Sequence, residues 1–330
     1  MKFDINGLCL ASDGLDWEMI NFEYFNNFDS PNTRRCYHRD IQLFFKFCEN
    51  FISKAVSPLS LERAHVVAFK NYLMGLEQAP KTICRKLSSL SSYFDFLLEK
   101  NIIKNNPCKG VRRPKQLVKN ETMDLSDDAV NKLFESLFQN RESITKSIYL
   151  HRAVIFLLFS TGLRKGELSN LKVKDYKKID EGTYCLIVRA KGGKYLTKVL
   201  HPSARIVLDE YINFQITKGA ILNPDEFLLK PTRNPLEPGK LNKPLNPKTV
   251  DYILRKYCLM AGIEKRITPH SARATYIGSA LENGVELWRV SQDVGHESVR
   301  TTEIYNKRRS KINNSPVHSL GFLNGCKKAS

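Results

Sequence analysis

The sequence lacks any apolar stretch long enough to cross a membrane. Its longest apolar run is the hexamer VIFLLF at residues 154–159, whereas a membrane-spanning helix needs about 20 apolar residues. The N-terminal segment MKFDINGLCLASDG carries acidic residues where a secretory signal requires an apolar block. We therefore expect a soluble cytoplasmic protein without a membrane partner.

Paired cysteines are lacking as well. The 8 cysteines are scattered singly from Cys9 to Cys326, with no CxxC motif and no nearby histidine pair at ligand spacing. This scatter argues against a zinc site or a disulfide scaffold, so we expect reduced, mostly packed thiols. Because the sequence also has no carboxylate cluster for a divalent metal and no GxxxxGK[ST] motif for a nucleotide, we expect no cofactor.

Acidic residues are few in relation to basic ones. Lysine and arginine number 52 against 34 acidic residues, which gives a formal net charge of +18. This excess predicts a polyanionic partner, and nucleic acid is favoured over a membrane surface, which would associate the protein with the nucleoid. The length of 330 residues, 42% of them hydrophobic, predicts two domains with conventional cores.

The N-terminal part of the chain contains three segments with the apolar spacing of amphipathic helices, at 30–52, 59–73 and 79–103. The first and third also carry clustered cations, which are Arg34, Arg35, His38 and Arg39, and Lys81, Arg85 and Lys86. Such faces are either merely solvated or contact phosphates. We predict that residues 1–107 form a helical domain whose arginines and lysines contact DNA.

A basic segment, CKGVRRPKQLVKNET, follows at residues 108–122. Its composition predicts a linker, which either only joins two domains or lies along a phosphate backbone through Arg112 and Arg113. We assign residues 123–310 to a second domain and residues 311–330 to a C-terminal tail.

The second domain has a mainly helical pattern interrupted by one β-hairpin. Ser126 is suited to cap its first helix, and further helical segments are predicted near 151–162, 203–217, 247–261 and 269–282. Between them, GTYCLIVRAKGGKYLTKVLHP has two strand-like runs about a Gly-Gly turn. The fold class expected for the whole chain is therefore mainly α, in two domains, with a small β-sheet or hairpin.

The stretch ITPHSARATY, at 267–276, places two cationic side chains at the start of a helix. Thr268 is suited to cap the helix and Pro269 to its first position, so His270 and Arg273 should project together near the positive end of the helix dipole. Such an arrangement attracts an anion. Taken alone, the stretch favours a surface turn with a solvated arginine and a histidine packed on its neighbour.

Three further motifs are each only weak evidence of a functional site when taken alone. Arg164 follows a Thr-Gly break in STGLRKGELSNL, Lys191 lies at the tip of the predicted hairpin, and VSQDVGHESVRTTEIYNKR places His296 after Gly295 with Tyr305 nine residues on. A surface ion pair and an ordinary polar turn would explain the first two.

Together, TGLRxGEL, KGGK in a hairpin, HxxR after Thr-Pro, GH and TTxxY occur in an order that resembles the tyrosine recombinase family, the phage-integrase and Xer-type enzymes. The N-terminal segments NTRRCYHRDIQLFFKF and KTICRKLSSLSSYFDFLLEKNIIKNNP resemble that family's SAM-like core-binding domain. The likeness spans about residues 16–310. The chain departs from the usual pattern at Ala272 and Val294, where the family usually has leucine, and in YLTKVLHP, which lacks the usual arginine and Val-Pro.

The resemblance implies that Arg164 and Arg273 hold the scissile phosphate of DNA and that His296 bonds to it. A phosphodiester repels nucleophiles and gathers further negative charge when it is attacked. Two guanidiniums, which are permanently charged and have a planar fork of donors, offset the repulsion and stabilise the added charge.

The resemblance also implies that Tyr305 attacks the phosphate, that His270 acts in proton transfer, and that Lys191 protonates the leaving 5′ oxygen. Lys194 and Lys198 lie in the same hairpin and are the alternatives for this last role. A covalent 3′-phosphotyrosine conserves the energy of the broken bond, so rejoining requires no ATP. Without a metal, cationic side chains would have to neutralise the charge.

Two rival functions remain at this point: a type IB topoisomerase with the same chemistry, and a DNA-binding accessory protein that does not cut. The helical N-terminal domain and the motif spacing favour a simple two-domain, Xer-like recombinase. Its expected partners are double-stranded DNA with paired inverted half-sites and three further subunits, in a homotetramer or in a heterotetramer with a related recombinase. Leu320, Phe322 and Leu323 in the tail are expected to pack on a neighbouring subunit.

Overall fold

The computed structural model describes residues 14–52, 57–115, 123–139, 147–233, 237 and 239–309. The chain divides into two compact units, Met1–Lys119 and Asn120–Ser330. Both predicted strands and each predicted helix are present, which confirms a mainly helical fold with a small β-sheet. No helix of the described ranges is long and apolar enough to cross a membrane.

Within its described residues, the first unit contains four α-helices around one aromatic-rich core. They are α1 (Trp17–Asn26), α2 (Pro31–Phe51), α3 (Arg63–Gly75) and α4 (Pro80–Glu99). The hydroxyl of Ser30 accepts a hydrogen bond from the backbone amide of Thr33, so α2 begins where the sequence predicts. Phe44, Phe69 and Phe94, from three different helices, are fully buried together. α1 was not among the predicted helices.

The start of the second predicted helix differs from the expectation. Ser57 caps only a short 3-10 turn, Pro58–Ser60, and α3 begins five residues after Pro58. The reason is a separate cap, in which the amide of Glu62 donates to Nδ1 of His65 at 2.9 Å.

The described part of the predicted linker, residues 108–115, packs on the first unit. Arg63 donates to the carbonyl of Gly110 at 2.7 Å, and Val111 contacts the aromatic core. The thiol of Cys84 lies 3.6 Å from the carbonyl of Pro114. These eight residues therefore have a defined path along the helices, while 116–122 lie outside the described residues.

The second unit places a three-stranded antiparallel sheet beside a group of helices. The helices are α5 (Asp127–Gln139), α6 (Ile148–Thr161), α7 (Lys165–Ser169), α8 (Pro202–Thr217), α9 (Pro247–Met260), α10 (Pro269–Glu282), α11 (Leu287–Asp293) and α12 (Val299–Arg309). The strands β1 (Tyr176–Asp180), β2 (Thr183–Arg189) and β3 (Tyr195–Val199) pair in sequence order. β2 and β3 form the predicted hairpin, and β1 was not predicted.

Helix α6 runs through the centre of the second unit's core. Residues 153–158 are all buried and contact neighbouring helices. This explains why VIFLLF is apolar on every side: it belongs to a core helix enclosed by protein. A smaller cluster, which includes Ile277, Val290 and Val294, encloses the ring of Tyr305.

Candidate active site

The start of α10 confirms the predicted cap and orients two predicted site residues. The hydroxyl of Thr268 accepts from the backbone amide of Ser271 at 3.2 Å, and Pro269 is the first helical residue. His270 is exposed at this end of the helix, whereas Arg273 is only 1% exposed. The two side chains therefore occupy different depths of one site.

The guanidinium of Arg273 is held by two backbone carbonyls from distant segments. It donates to the carbonyl of Gly162 at 2.8 Å and also to the carbonyl of Val294. Burial, reinforced by the nearby Arg164 cation, lowers the pKa of Arg273 to about 10. The side chain thus stays charged at neutral pH and keeps a fixed orientation.

Arg164 reaches the same region because α6 ends abruptly. Gly162 adopts the left-handed conformation (φ 62°, ψ 24°), which turns the chain into the start of α7. The carboxylate of Glu167 accepts from the backbone amide of Arg164 at 2.8 Å and from its guanidinium at 2.7 Å. The Arg164–Glu167 pair is therefore more than a surface ion pair, because the nearly buried Glu167 fixes the position of Arg164. The side chain of Arg164 remains 39% exposed and can contact a ligand.

The hydroxyl of Tyr305 lies 3.3 Å from Nε2 of His270. Tyr305 belongs to α12, and its 7% exposed ring packs on the small apolar cluster of α10 and α11. The oxygen of a buried tyrosine is thus presented to a histidine at the helix start that also carries Arg273.

His296 lies beside the ring of Tyr305. Its imidazole is nearly parallel to the Tyr305 ring, with centroids 6.2 Å apart, and its Nδ1 lies 2.8 Å from the hydroxyl of Thr302. Burial, together with the cations Arg273 and Arg164, lowers the pKa of His296 to about 4. His296 is therefore neutral at physiological pH in the absence of a bound anion.

The hairpin turn approaches this group of residues. Ala190 and Lys194, on either side of the 3-10 turn Lys191–Gly193, line a cavity of about 490 Å³ with Arg164 and His296. The side chain of Lys191 lies outside the described part of the structure. The backbone nevertheless places its turn at the edge of the site.

A second cavity, of about 700 Å³, opens at Arg164, His270 and Arg273. Its wall adds several cations, which are Lys165, Lys248, Arg255 and Arg266. Among the described residues that line it, Asp251 is the single acid, and it pairs with Lys165 at 3.1 Å. A phosphate-rich ligand suits such a wall, because an excess of cations attracts polyanions. Within the described residues, no group of three or more histidines, cysteines and acids is arranged to hold a metal ion.

The cations predicted to contact DNA from the first unit differ in their surroundings. The exposed ones are Arg35, Arg39, Lys81, Arg85, Arg112 and Arg113, whereas Arg34 and Lys86 are partly buried. Arg34 donates to the carbonyl of Phe28 at 3.0 Å, and Arg113 donates to the hydroxyl of Ser88 at 2.7 Å. His38 is half-buried against Phe25, so it does not share the exposure predicted for that face.

Arg85 and Lys86 share a buried carboxylate. Asp40 is 2% exposed, pairs with the Arg85 guanidinium, lies 3.4 Å from Nζ of Lys86, and accepts from the hydroxyl of Ser89 at 2.9 Å. A buried carboxylate requires such compensation. Part of the positive charge predicted for DNA on this helix is therefore neutralised within the protein.

Two polar residues near the site form an ion pair that was not predicted from the sequence. Lys198 on β3 is 2% exposed, and its Nζ lies 2.5 Å from Oδ2 of Asp293. The alternation of β3 offered a signal, since Lys198 shares the inward direction of Leu196 and Leu200.

A mainly helical domain on which two arginines, two histidines and a tyrosine converge at a basic cleft has the features of an enzyme that cleaves DNA with tyrosine. Residues 125–311 match the phage integrase family, and residues 25–101 match the N-terminal SAM-like domain of phage integrases. The chain therefore belongs to the phage integrase family: it is a tyrosine-type site-specific recombinase that breaks and rejoins DNA.

Individual relatives cover most of the chain. A tyrosine recombinase of Pseudothermotoga lettingae is 32% identical over 280 residues, which are 84% of this chain and 87% of the relative. The tyrosine recombinase XerD of Oceanobacillus iheyensis is 28% identical over 295 residues, 88% of this chain and 93% of the relative.

Solved structures share the fold at lower identity. The XerH recombinase bound to a palindromic difH substrate has a TM-score of 0.67 at 18% identity, covering 94% of this chain and 91% of its own. A lambda integrase dimer bound to a COC′ core site has a TM-score of 0.63 at 19% identity, covering 89% and 96%.

Proposed function

We propose that this recombinase cleaves DNA by attack of the Tyr305 oxygen on a phosphodiester held by Arg164 and Arg273. The observation that carries the proposal is the 3.3 Å approach of the Tyr305 hydroxyl to His270, at the helix start that also supplies Arg273. Because Arg273 is fixed by two carbonyls and Arg164 by Glu167, both guanidiniums are oriented before DNA arrives. Preorganised charge of this kind is worth about 3 to 4 kcal/mol per donor in a transition state.

The proton of Tyr305 passes to Nε2 of His270 as the bond from the tyrosine oxygen to phosphorus forms. The bond from phosphorus to the 5′ oxygen breaks, and Lys191 donates a proton to that oxygen. The products are a 3′-phosphotyrosyl bond and a free 5′ hydroxyl. Attack by a 5′ hydroxyl of another strand reverses the step and joins the strands in a new combination.

His296 has a separate role in this mechanism: it donates a hydrogen bond to a non-bridging phosphate oxygen. Thr302 at Nδ1 orients the ring. A neutral imidazole donates from one nitrogen only. If Nε2 carries the hydrogen toward the phosphate, Nδ1 is the acceptor and the Thr302 hydroxyl donates to it. The anion itself raises the imidazole's affinity for a second proton, because an opposite charge favours the cationic form.

The DNA partner is a duplex with paired inverted half-sites, bound by four subunits. The first unit, with exposed cations such as Arg35 and Arg39, contacts the duplex as well as the catalytic domain does, and residues 108–122 join the two in sequence. Related structures support this arrangement, since lambda integrase is known as a dimer on a core site and as a tetramer on a Holliday junction. The tail residues expected to pack on a neighbour lie outside the described residues.

The experiment that tests the proposal traps covalent protein–DNA adducts from a library of duplexes with randomised half-sites. Wild type should yield adducts that survive denaturation, and their sequences should converge on inverted half-sites. Tyr305→Phe should bind the selected DNA with unchanged affinity and yield none, since it lacks only the nucleophilic oxygen. Tyr149→Phe, which changes a tyrosine stacked on Phe214 elsewhere in the domain, is the matched control and should yield adducts normally. Adducts from Tyr305→Phe would refute the proposal.

A further inference from the structure

A buried ion pair joins the hairpin to the segment that precedes His296. The ammonium of Lys198 on β3 lies 2.5 Å from Oδ2 of Asp293, the last residue of α11. The hydroxyl of Tyr276 on α10 donates to the same oxygen at 2.8 Å, and the Lys198 ammonium lies 5.3 Å from the centroid of the Tyr276 ring. Three elements therefore meet at one carboxylate.

This three-residue network adjoins both residues whose carbonyls hold Arg273. Asp293 is bonded directly to Val294, whose carbonyl is one acceptor. The ring of Tyr276 lies against Gly162, whose carbonyl is the other: a methyl group added there would come within 2.6 Å of the ring. A shift of Asp293 or Tyr276 must therefore move an acceptor of the Arg273 guanidinium.

We propose that Lys198, Asp293 and Tyr276 form a positioning network that fixes Arg273 for phosphate binding without touching DNA themselves. The proposal rests on the role given to Arg273 under the proposed function. Lys198 is enclosed at 2% exposure and committed to Asp293, so it acts through its neighbours. Burial lowers the pKa of Lys198 while Asp293 opposes that shift, which agrees with a pair that is stable only when both partners are present.

Loss of one charge from this network should disturb the other. In Lys198→Met the carboxylate of Asp293 loses its cation and becomes a competing acceptor for the nearby Arg273 guanidinium. A misplacement of about 1 Å can lower a rate about a hundredfold. We expect cleavage by Lys198→Met to be at least tenfold slower, with DNA affinity unchanged. The double variant Lys198→Met/Asp293→Leu removes the competing carboxylate and should cleave at least threefold faster than Lys198→Met, but more slowly than wild type, because the Tyr276 hydroxyl has lost its acceptor.

The first measurement is single-turnover cleavage of the selected DNA at saturating protein, in a cycle with Arg273→Ala. If Lys198 acts through Arg273, Lys198→Met should slow wild type at least tenfold but slow Arg273→Ala less than threefold. Equal slowing in both backgrounds would overturn the proposal, since a general packing defect is independent of Arg273. Lys174→Met, which removes an exposed ammonium 2.6 Å from Asp225 in the same domain, is the control and should cleave normally.

A second measurement uses protein without DNA. It therefore tests the positioning network even if wild type forms no adduct and the proposed function fails. The guanidinium protons of Arg273, assigned by NMR from their loss in Arg273→Lys, should exchange slowly in wild type because two carbonyls accept from them. Exchange should accelerate at least tenfold in Lys198→Met and return toward wild type in the double variant. Unchanged exchange in Lys198→Met would overturn the network. Should Lys198→Met not fold, Tyr276→Phe, which removes only one hydroxyl, serves in both measurements.

Discussion

Replacement of Gly162 by alanine tests whether the position of Arg273 depends on the backbone at the end of α6. Gly162 has φ of 62° and its carbonyl accepts from Arg273 at 2.8 Å. The chain offers a matched control in Gly262, which follows α9 with φ of 71° and has no atom within 4 Å of an added methyl group. The two substitutions share the backbone effect and differ in what the methyl group meets.

The magnitudes follow from these contacts. A left-handed alanine costs about 1 kcal/mol, so Gly262→Ala should lower the free energy of unfolding by about that amount. At Gly162 the new methyl group would lie 2.6 Å from Cδ1 of Tyr276. The ring is held by its hydroxyl, which donates to Asp293, so it cannot simply rotate away. Overpacking adds about 1 to 3 kcal/mol, for a total of about 2 to 4 kcal/mol in Gly162→Ala.

Urea unfolding measures both losses, and single-turnover cleavage is then compared at a temperature where each variant is folded. Gly162→Ala should cleave at least tenfold more slowly than Gly262→Ala, because displacement of the carbonyl releases Arg273. Equal losses of stability together with equal cleavage rates would refute the reasoning.

Three further predictions concern pH, proton donation and salt. Burial and nearby cations lower the pKa of His296 from 6.5 to about 4, so the unfolded chain binds more protons between these values, and the free energy of unfolding should rise with pH over this window. His296→Asn should flatten that rise and slow cleavage, whereas His151→Asn, whose histidine also has a pKa of about 4, should flatten it without slowing cleavage. Lys191→Ala should cleave normal DNA slowly but a strand with a bridging 5′ sulfur at nearly the wild-type rate, because sulfur leaves without an acid. If the sulfur-substituted strand instead restores cleavage by Lys194→Ala, the acid is Lys194. DNA affinity should fall about a thousandfold or more between 50 and 200 mM salt, and Arg39→Ala should lower the salt slope by about 1; a slope near zero would contradict a phosphate-dominated interface.

Local rules predicted most helix boundaries from the sequence. Ser30 and Thr268 each cap the helix that follows, and such caps depend on residues within one turn. The same locality explains one misplacement: Ser57 and Pro58 do open a turn, but the reciprocal contact of Glu62 and His65 starts the longer helix. β1 was not predicted because its pattern is polar and four of its five residues are exposed.

The burial of the site residues could not be predicted from local rules. The sequence placed His270 and Arg273 together at a helix start, yet Arg273 is buried, because its acceptors are 111 and 21 residues away along the chain. The partner of Lys198 is 95 residues distant. Such contacts arise only when α6, α10, α11 and β3 pack together. The catalytic motifs themselves were recognised because their order resembles a known family.

The most direct test of the central role given to Tyr305 is the chemical identity of the protein–DNA bond. Adducts trapped with wild-type protein are digested with protease and nuclease, and the linked peptide is sequenced by mass spectrometry. The mechanism predicts a single modified peptide in which the oxygen of Tyr305 carries the 3′ phosphate of a nucleotide. Attachment to another residue, or to a 5′ phosphate, would contradict it.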